Sequence, residues 1–255
     1  APAFPAHGGG GSRRDDGRRL RSAMIPWLKS TDPPDAFPPV TRALSDPDGL
    51  LCVGGDLRPE RLLAAYRRGI FPWYSEGQPI LWWSPDPRMV LYPDEFKVAR
   101  SLGKSLRNRG FRVTFDTCFD TVIAMCADSG TRAHEGTWIS PAMRAAYGEL
   151  HRLGHAHSVE VWLDDRLVGG LYGLLLGRIF FGESMFSTET DASKVALHGL
   201  VHWLRQRNVA LIDCQVASDH LFTLGARLIP RADFIAQLER GIPALAPDAS
   251  TGEVR

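Results

Sequence analysis

Three polar side chains stand where apolar segments of the chain end, and their carboxylate and amide groups could bind a polar part of a substrate. Asp213 and Gln215 are the polar residues of LIDCQ, and they lie two positions apart. In a strand such positions point to the same face, so a carboxylate and an amide could contact one substrate together. Glu183 follows two phenylalanines in FFGES, where its carboxylate could attract a cation. Together these residues predict the polar edge of a binding pocket.

Simpler roles remain open for each of these residues. Asp213 and Gln215 could bond to nearby backbone at a strand end, and Glu183 could lie on the surface. Asp213 could also act directly as a base, whereas a neutral amide such as Gln215 is a poor base and would orient a substrate. Cys214 lies between them, but strand alternation predicts that its thiol points into the core and is not a nucleophile.

The segments around these residues predict a pocket with an apolar floor and a polar edge. Two β-prone runs, Val168–Leu176 and Ile179–Phe181, are joined by Gly177-Arg178, which predicts a hairpin. A helix follows, and its apolar side is formed by Val195, Leu197, Leu200, Val201 and Leu204. The strand Val209–Gln215 completes this part of the chain. Hairpins followed by a helix, a strand and further helices are typical of an α+β fold.

A run of basic residues gives the best local evidence for a nucleic-acid partner. Phe96–Arg109 is predicted to be helical, and its cations follow one another at spacings of three, four and three. These cations are Lys97, Arg100, Lys104 and Arg107. Such a stripe is either a solvated face or a surface that contacts phosphates.

Composition alone gives no argument for RNA binding and predicts an ordinary globular protein. The 255 residues carry a net charge of +1, and 44% of them are hydrophobic. Residues 1–23 contain GGGGS and five arginines, and they are predicted to be a flexible extension or a remnant of an added sequence. No run has the length of a membrane span, and no secretory signal is recognisable.

Cysteine and histidine patterns predict neither disulfides nor a metal site. The four cysteines have no paired spacing, so reduced thiols in a cytoplasmic protein are expected. His198 and His202 lie four residues apart, as zinc ligands on a helix often do, but no third ligand is evident. We therefore expect no metal.

Several long motifs resemble those of the leucyl/phenylalanyl-tRNA–protein transferases. The C-terminal half contributes GGLYG, FFGESMFS, DASK, LIDCQ and HLFTLGA, and the N-terminal half contributes DGLLCVGGDL, AYRRGIFPWYSEGQPILWWSPDPR and EGTWIS. The motifs follow one another in the order of the family over residues 24–240. This resemblance, unlike the patterns above, points to one family.

The resemblance implies how the α+β fold is organised. A GNAT-like domain is expected over residues 88–242, preceded by a small α/β domain over residues 24–87 and followed by a loose tail over 243–255. Acetyltransferases of the GNAT fold hold the pyrophosphate of acyl-CoA with a glycine-rich loop, but Ser184–Ser193 contains no glycine. The missing loop weakens the alternative of an acyltransferase that uses acyl-CoA. A non-catalytic module that binds RNA or peptide is the other alternative.

The resemblance also implies a reaction and its partners. Leucine or phenylalanine, with methionine as a further candidate, would move from aminoacyl-tRNA to the α-amine of proteins that begin with Arg or Lys, marking them for degradation. No cofactor would be needed, and the enzyme would act in the cytoplasm as a monomer. An ester of tRNA is already activated, so positioning of amine and ester could supply much of the rate.

Roles for individual residues follow from the same resemblance. Asp213 and Gln215 would be catalytic, with the proton of the amine leaving through water or the ribose hydroxyl, and Glu183 would attract the amine or the cationic side chain of the acceptor. The aminoacyl group and terminal adenosine would be held by Trp73, Trp138, Leu171, Phe180, Met185 and Leu197. Thr188 replaces an arginine that is common in the family, which removes a candidate contact to RNA or acceptor.

Overall fold

The computed structural model describes residues 25–129 and 139–243. These residues form two β-sheets, one of four strands and one of seven, and seven α-helices. The smaller sheet has the order β1-β2-β4-β3. Its strands are β1 (Trp27–Leu28), β2 (Leu50–Gly54), β3 (Phe71–Pro72) and β4 (Leu81–Trp83). Helix α1 (Pro59–Arg67) lies between β2 and β3 in the chain, and proline at its first position is preset for the helix.

The larger sheet has the order β11-β5-β10-β9-β8-β7-β6 and carries the predicted site. Its strands are β5 (Arg88–Leu91), β6 (Arg112–Phe115), β7 (Ala156–Leu163), β8 (Arg166–Leu176), β9 (Ile179–Ser187), β10 (Leu211–Gln215) and β11 (Arg227–Ile229). The hairpin of β8 and β9 turns at Gly177, whose φ of +57° suits glycine. The predicted hairpin is thereby confirmed.

Six further α-helices cover the two faces of the larger sheet. They are α2 (Arg100–Asn108), α3 (Phe119–Asp128), α4 (Pro141–Arg152), α5 (Ala192–Arg205), α6 (Asp219–Thr223) and α7 (Arg231–Gly241). The start of α4 is capped, because Ser140 Oγ accepts a hydrogen bond of 3.2 Å from the backbone N–H of Met143. Two short 3-10 helices, Val40–Arg42 and Pro93–Glu95, complete the regular structure of the described residues.

One apolar core joins the two sheets, and a second lies on the opposite face of the larger sheet. The shared core contains Trp82 and Tyr66 from the N-terminal part together with Tyr147 and Phe181 from the C-terminal part. The second core packs α5 against Phe180 and its neighbours. The α+β class predicted from the sequence is confirmed. None of the helices that the structure describes is long and apolar enough to cross a membrane.

Two parallel strands part in the middle of the larger sheet. Strands β9 and β10 pair only from Ile179 with Leu211 to Phe181 with Asp213. Beyond that point β9 bulges against β8, since Gly182 pairs with Gly173 and Ser184 pairs with Tyr172 while Glu183 has no opposite residue. A bulge re-aims the side chain that it carries. The gap between the two strands is therefore bordered by Glu183 on one side and by the end of β10 on the other.

The helix predicted over residues 96–109 is shorter than expected. Helix α2 begins at Arg100, and Lys97 lies in an extended segment before it. The backbone N–H of Lys97 donates a hydrogen bond of 2.9 Å to the carbonyl of Leu224, which ties this segment to the residues after α6. A tertiary contact thus overrides the helical spacing of the sequence.

Candidate active site

A cavity of about 320 Å³ opens where β9 and β10 part. Apolar residues from β8, β9, α5 and β10 form most of its wall, and polar groups border one end. The apolar part consists of Leu171, Phe180, Met185, Leu197, Leu200, Ile212, Val216 and Leu221, and the polar part includes Tyr172, Glu183, Ser184 and Gln215. The cavity has the apolar floor and polar edge that the sequence predicted, and its size suits one amino-acid side chain and the groups that react beside it.

The four apolar pocket residues predicted from the sequence come together in this wall. Leu171 of β8 lies opposite Met185 of β9, and both reach the cavity with Phe180 and Leu197. Phe180 and Leu197 are buried, while Met185 is partly exposed toward the cavity. A flexible thioether in such a wall adapts to side chains of different shape.

Glu183 is held by two tyrosines that come from different parts of the chain. The hydroxyl of Tyr66 in α1 donates to Glu183 Oε1 at 2.7 Å, and the hydroxyl of Tyr147 in α4 donates to Oε2 at 3.1 Å. The two hydroxyls also contact each other. Both phenol rings are fully buried, so the carboxylate is fixed at the cavity wall by neutral groups.

Burial raises the pKa of Glu183 to about 7, because desolvation disfavours the charged carboxylate. The hydrogen bonds from Tyr66 and Tyr147 act in the opposite direction, and the negative charge of Asp213 raises the pKa further. The same burial raises the pKa of both tyrosines well above the usual value, so they remain neutral hydrogen-bond donors. Glu183 can therefore change its charge near neutral pH.

Asp213 has a charged partner instead. Arg88, the first residue of β5, donates from Nε to Asp213 Oδ1 at 2.8 Å and from a terminal nitrogen to Oδ2 at 2.7 Å. Both side chains are completely buried. The guanidinium lies over the rings of Phe71 and Phe234, with 4.8 and 4.7 Å to the ring centres. Asp213 is therefore the buried anion of an ion pair.

Gln215 reaches the cavity through an irregular end of β10. Strand β10 shifts register against β5 between Asp213 and Gln215, and Gln215 has a φ of +59°. Its backbone N–H donates to Asp213 Oδ1 at 3.0 Å. Its side chain lines the cavity, and its buried Nε2 has no hydrogen-bond partner among the described residues. The amide is thus available to a substrate.

The expectation that Asp213 and Gln215 share one face is wrong. Asp213 faces Arg88 and is not among the described residues of the cavity wall, whereas Gln215 is. Cys214 packs against the second core as expected, and its side chain also lines the cavity. The register shift breaks the simple alternation of the strand. Burial raises the pKa of the Cys214 thiol, which keeps it protonated and poorly nucleophilic.

Of the two predicted tryptophans, only Trp73 belongs to the residues that the structure describes. Trp73 packs beside Trp83, with 6.3 Å between the ring centres, and it is partly buried. It is not among the described lining residues. Trp138 lies outside the residues that the structure describes. Their proposed contact with the adenosine stays a prediction.

The basic residues form an exposed group on and before α2. Arg100, Lys104 and Arg107 are exposed on the helix, and Lys97 is exposed in the segment that precedes it. Within residues 25–129 and 139–243 none of these four side chains forms an ion pair. Helix α2 is fixed to the start of α5, because Ser105 Oγ donates to Asp191 Oδ2 at 2.8 Å. The cations therefore lie on the face of the molecule that carries α5.

The described residues contain no group of three or more His, Cys, Asp and Glu side chains that could hold a metal ion. His198 is partly buried beside Phe96, and His202 contacts Gln206. The spacing of these two histidines thus has no metal-binding counterpart in the described part of the chain.

Reasoning from the sequence missed three residues of this site. These residues are Tyr66, Tyr147 and Arg88, to which the sequence analysis assigned no role. One signal for Arg88 was available, since an arginine directly before the apolar run MVL needs a buried partner if the strand is central. Nothing in the sequence paired it with Asp213, which lies 125 residues later.

Family models match most of the chain. The model described as leucyl/phenylalanyl-tRNA protein transferase matches residues 90–239, and the model of that family's N-terminal domain matches residues 55–86. A leucyl/phenylalanyl-tRNA–protein transferase of Azoarcus is 62% identical over 217 residues, which covers 85% of this chain and 91% of the relative. The protein of the same name from Chromobacterium violaceum is 53% identical, and the match covers 88% and 95% of the two chains.

Solved structures resemble this chain more distantly. FemX superposes with a TM-score of 0.45 at 11% identity, covering 68% of this chain and 66% of the other. A GCN5-related N-acetyltransferase from Kribbella flavida gives a TM-score of 0.37 at 8% identity, with 68% and 61% covered. Scores this low carry no argument about what the present chain binds or does.

Proposed function

The chain belongs to the leucyl/phenylalanyl-tRNA–protein transferase family, and we propose that it moves leucine or phenylalanine from charged tRNA to the α-amine of proteins that begin with Arg or Lys. The observation that carries this proposal is the cavity between β9 and β10. It places an apolar pocket, an unpartnered amide and a carboxylate that titrates near neutral pH in one wall. These are the groups that an aminoacyl donor and a cationic acceptor require.

The proposed reaction is a direct attack by the amine. The α-amine nitrogen forms a bond to the carbonyl carbon of the aminoacyl ester, and the bond from that carbon to the ribose oxygen breaks. The amine loses a proton and the leaving oxygen gains one, through water or the ribose hydroxyl. Because the ester is already activated, holding the two reactants at contact distance supplies much of the acceleration.

Gln215 and Glu183 have complementary roles in this proposal. The Gln215 amide contacts and orients the amine, while Asp213 supports the backbone from which Gln215 projects. Glu183 attracts the cationic side chain or the α-ammonium of the acceptor from across the gap. An α-amine has a pKa of roughly 7.7–8.0, so a minor fraction is neutral at pH 7 and only modest help is needed.

Donor selection rests on the apolar wall of the cavity. Leucine and phenylalanine side chains would contact Leu171, Phe180, Met185 and Leu197, which exclude polar aminoacyl groups by the cost of burying them. A pocket of this kind separates side chains that differ by one methylene by only about 1–3 kcal/mol. We therefore include methionine among the donors.

Binding of the tRNA is proposed to involve Lys97, Arg100, Lys104 and Arg107, with Trp73 and Trp138 at the terminal adenosine. Replacing Arg100, Lys104 and Arg107 by glutamine should weaken tRNA binding and reduce the slope of log K against log salt by about 0.7–0.9 for each phosphate that is no longer neutralised. Filter binding of uncharged tRNA at several salt concentrations measures this slope. Arg152 and Arg166, exposed elsewhere, provide the control substitutions, whose slope should equal that of the wild type.

Further parts of the proposal concern the cell. The reaction would take place in the cytoplasm, where charged tRNA is available, and the enzyme would act as a monomer. Proteins that acquire an N-terminal leucine or phenylalanine would then be marked for degradation.

The decisive experiment offers the protein tRNA charged with radiolabelled leucine together with two peptides that differ only in an N-terminal Arg or Ser. Label should move to the Arg peptide alone. Label that stays on bound tRNA with both peptides would favour a binding module instead. Label that is transferred from acyl-CoA, and not from tRNA, would favour an ordinary acyltransferase.

A further inference from the structure

We propose that Arg88 is a positioning residue for the transfer reaction, and that it acts through Asp213 to hold Gln215 in its reactive conformation. Asp213 then also acts by position and does not accept the proton of the amine. This inference rests on the proposed function and adds to it a residue from outside the cavity. Three contacts in series carry it, from Arg88 to Asp213, from Asp213 to the Gln215 backbone, and from Gln215 to the cavity.

The first contact leaves Asp213 little freedom. Arg88 binds both carboxylate oxygens, and a planar guanidinium that binds in this way fixes the orientation of the carboxylate as well as its position. Phe71 and Phe234 lie against the guanidinium, so the arginine itself cannot swing away. Both charges are buried, and separating them would leave each without compensation.

The second contact sets the backbone of Gln215. A residue other than glycine with φ near +59° is in the left-handed region, which costs of order 1 kcal/mol or more without compensating contacts. The hydrogen bond from the Gln215 N–H to Asp213 Oδ1 provides such a contact. Loss of the carboxylate, or of the arginine that orients it, should release Gln215 toward an extended conformation.

The third contact makes the position of Gln215 matter for the reaction. Its amide lines the gap opposite Glu183, and Nε2 has no partner among the described residues. Asp213 has no such access, because it already accepts two bonds from Arg88 and one from the backbone and lies behind the described wall. A group without access to the amine cannot be the base, whereas a group that orients Gln215 still affects the rate.

Single-turnover transfer from leucyl-tRNA to an Arg peptide tests the inference with Arg88→Gln, Asp213→Asn and the double variant. Each single variant should lose about 10²-fold in kcat with a change below about threefold in either KM, since a misplaced group costs rate and not binding. The double variant should be no slower than the slower single variant, because both residues act through one chain of contacts. The acid limb of the pH profile should persist in Asp213→Asn and move to lower pH, because the charge of Asp213 raises the pKa of Glu183.

Arg61→Gln is the matched control for folding. Arg61 is also completely buried, and it donates to Asp56 and to backbone carbonyls of the N-terminal loop. This variant should lose thermal stability but keep kcat within about twofold of the wild type, because within the described residues the hydrogen bonds of Arg61 go to Asp56 and the N-terminal loop and not to β10. An equal loss of kcat in Arg61→Gln would overturn the inference, as would kcat within threefold of the wild type in Arg88→Gln or a vanished acid limb in Asp213→Asn.

Hydrogen exchange of the Gln215 backbone amide tests the inference without any substrate. The amide should be protected in the wild type and in Arg61→Gln, and it should exchange at least tenfold faster in Arg88→Gln and Asp213→Asn. Unchanged protection in Arg88→Gln would refute the positioning role even if the wild type transferred leucine. A wild type that transfers no leucine but shows this exchange pattern would instead refute only the proposed function.

Discussion

Two buried carboxylates lie near the same gap in the sheet, and their partners differ. Glu183 accepts hydrogen bonds from the neutral hydroxyls of Tyr66 and Tyr147, and burial raises its pKa to about 7. Asp213 lies behind the described cavity wall and is bound on both oxygens by Arg88. The comparison shows that the role of each carboxylate depends on the groups that donate hydrogen bonds to it. A carboxylate with neutral partners can change its charge, whereas one bound to a guanidinium serves as a fixed support.

Both sides of the gap obtain their shape from an irregular strand. Glu183 is the extra residue of β9 against β8, and Cys214 is the extra residue of β10 against β5. Each irregularity falls at the point where the two parallel strands have stopped pairing. The bulges thus turn Glu183 and Gln215 toward the gap while Asp213 remains with Arg88.

Gln215→Ala tests the side of the gap that β10 forms, and the largest effect is expected from it. Removal of the amide should lower kcat for transfer to an Arg peptide by about 10²-fold, because the amine loses the group that orients it. Single-turnover assays with saturating leucyl-tRNA measure this loss, and tRNA binding should be unaffected. Cys214→Ala, which alters the neighbouring cavity wall, is the control and should change kcat by less than about threefold. A normal kcat in Gln215→Ala would show that the Gln215 side chain of β10 does not take part in the reaction.

The side of β9 is tested by Glu183→Gln with two acceptor peptides, one beginning with Arg and one with its neutral isostere citrulline. Loss of the negative charge should lower kcat/KM for the Arg peptide by about 10-fold or more, since a hydrogen bond to a charged group contributes roughly 1.5–3 kcal/mol. The value for the citrulline peptide should change little. An equal loss for both peptides would show that Glu183 does not recognise the positive charge.

The pH dependence of the free energy of unfolding should also distinguish Glu183 from a carboxylate in an ion pair. Its pKa is raised from 4.5 to about 7, so the folded protein holds a proton that the unfolded chain has released between those values. The free energy of unfolding therefore falls as pH rises from about 4.5 to about 7, by an estimated 1–2 kcal/mol for a partly exposed group. Chemical denaturation of the wild type and Glu183→Gln at pH 5 and pH 8 measures it. The variant should gain relative stability at pH 8, and a gain at pH 5 instead would contradict the assigned direction.

The smallest effect is expected from removing one tyrosine hydroxyl. Tyr66→Phe takes away a donor to the charged form of Glu183, so the pKa of that carboxyl should rise by about 1 unit. The acid limb of kcat/KM for the Arg peptide should move upward accordingly. Tyr147→Phe should shift it less, because its hydroxyl lies at 3.1 Å and that of Tyr66 at 2.7 Å. A downward shift in either variant would mean that the hydroxyls favour the protonated carboxyl.

Much of the site followed from the sequence because it lies within one continuous stretch. The hairpin, α5 and β10 occupy residues 166–215, and the spacing of their apolar residues predicted these elements, while the family resemblance implied Leu171, Phe180, Met185 and Leu197 as pocket residues. Local periodicity is the signal that such reasoning detects best. The family motifs added the order of the two regions and the nature of the reaction.

The contacts that assign roles could not be predicted, since they join distant parts of the chain. Tyr66 reaches Glu183 across 117 residues, and Arg88 reaches Asp213 across 125. The predicted orientation of the Asp213 side chain was wrong, because the rule of strict strand alternation does not account for a register shift. The predicted start of α2 was wrong, because a hydrogen bond from the backbone N–H of Lys97 to the carbonyl of Leu224 holds Lys97 outside the helix.

The core shared by the two sheets has a consequence for how this enzyme can be rebuilt. The described residues that line the cavity all come from positions 126–221. Tyr66 and Phe71, which hold Glu183 and cover Arg88, come instead from the region before β5. A chimaera that took residues 24–87 from a distant homologue would therefore keep the whole described pocket and still alter its chemistry. Directed evolution of the N-terminal region could therefore shift the pH at which the enzyme is most active without changing which aminoacyl group the pocket accepts.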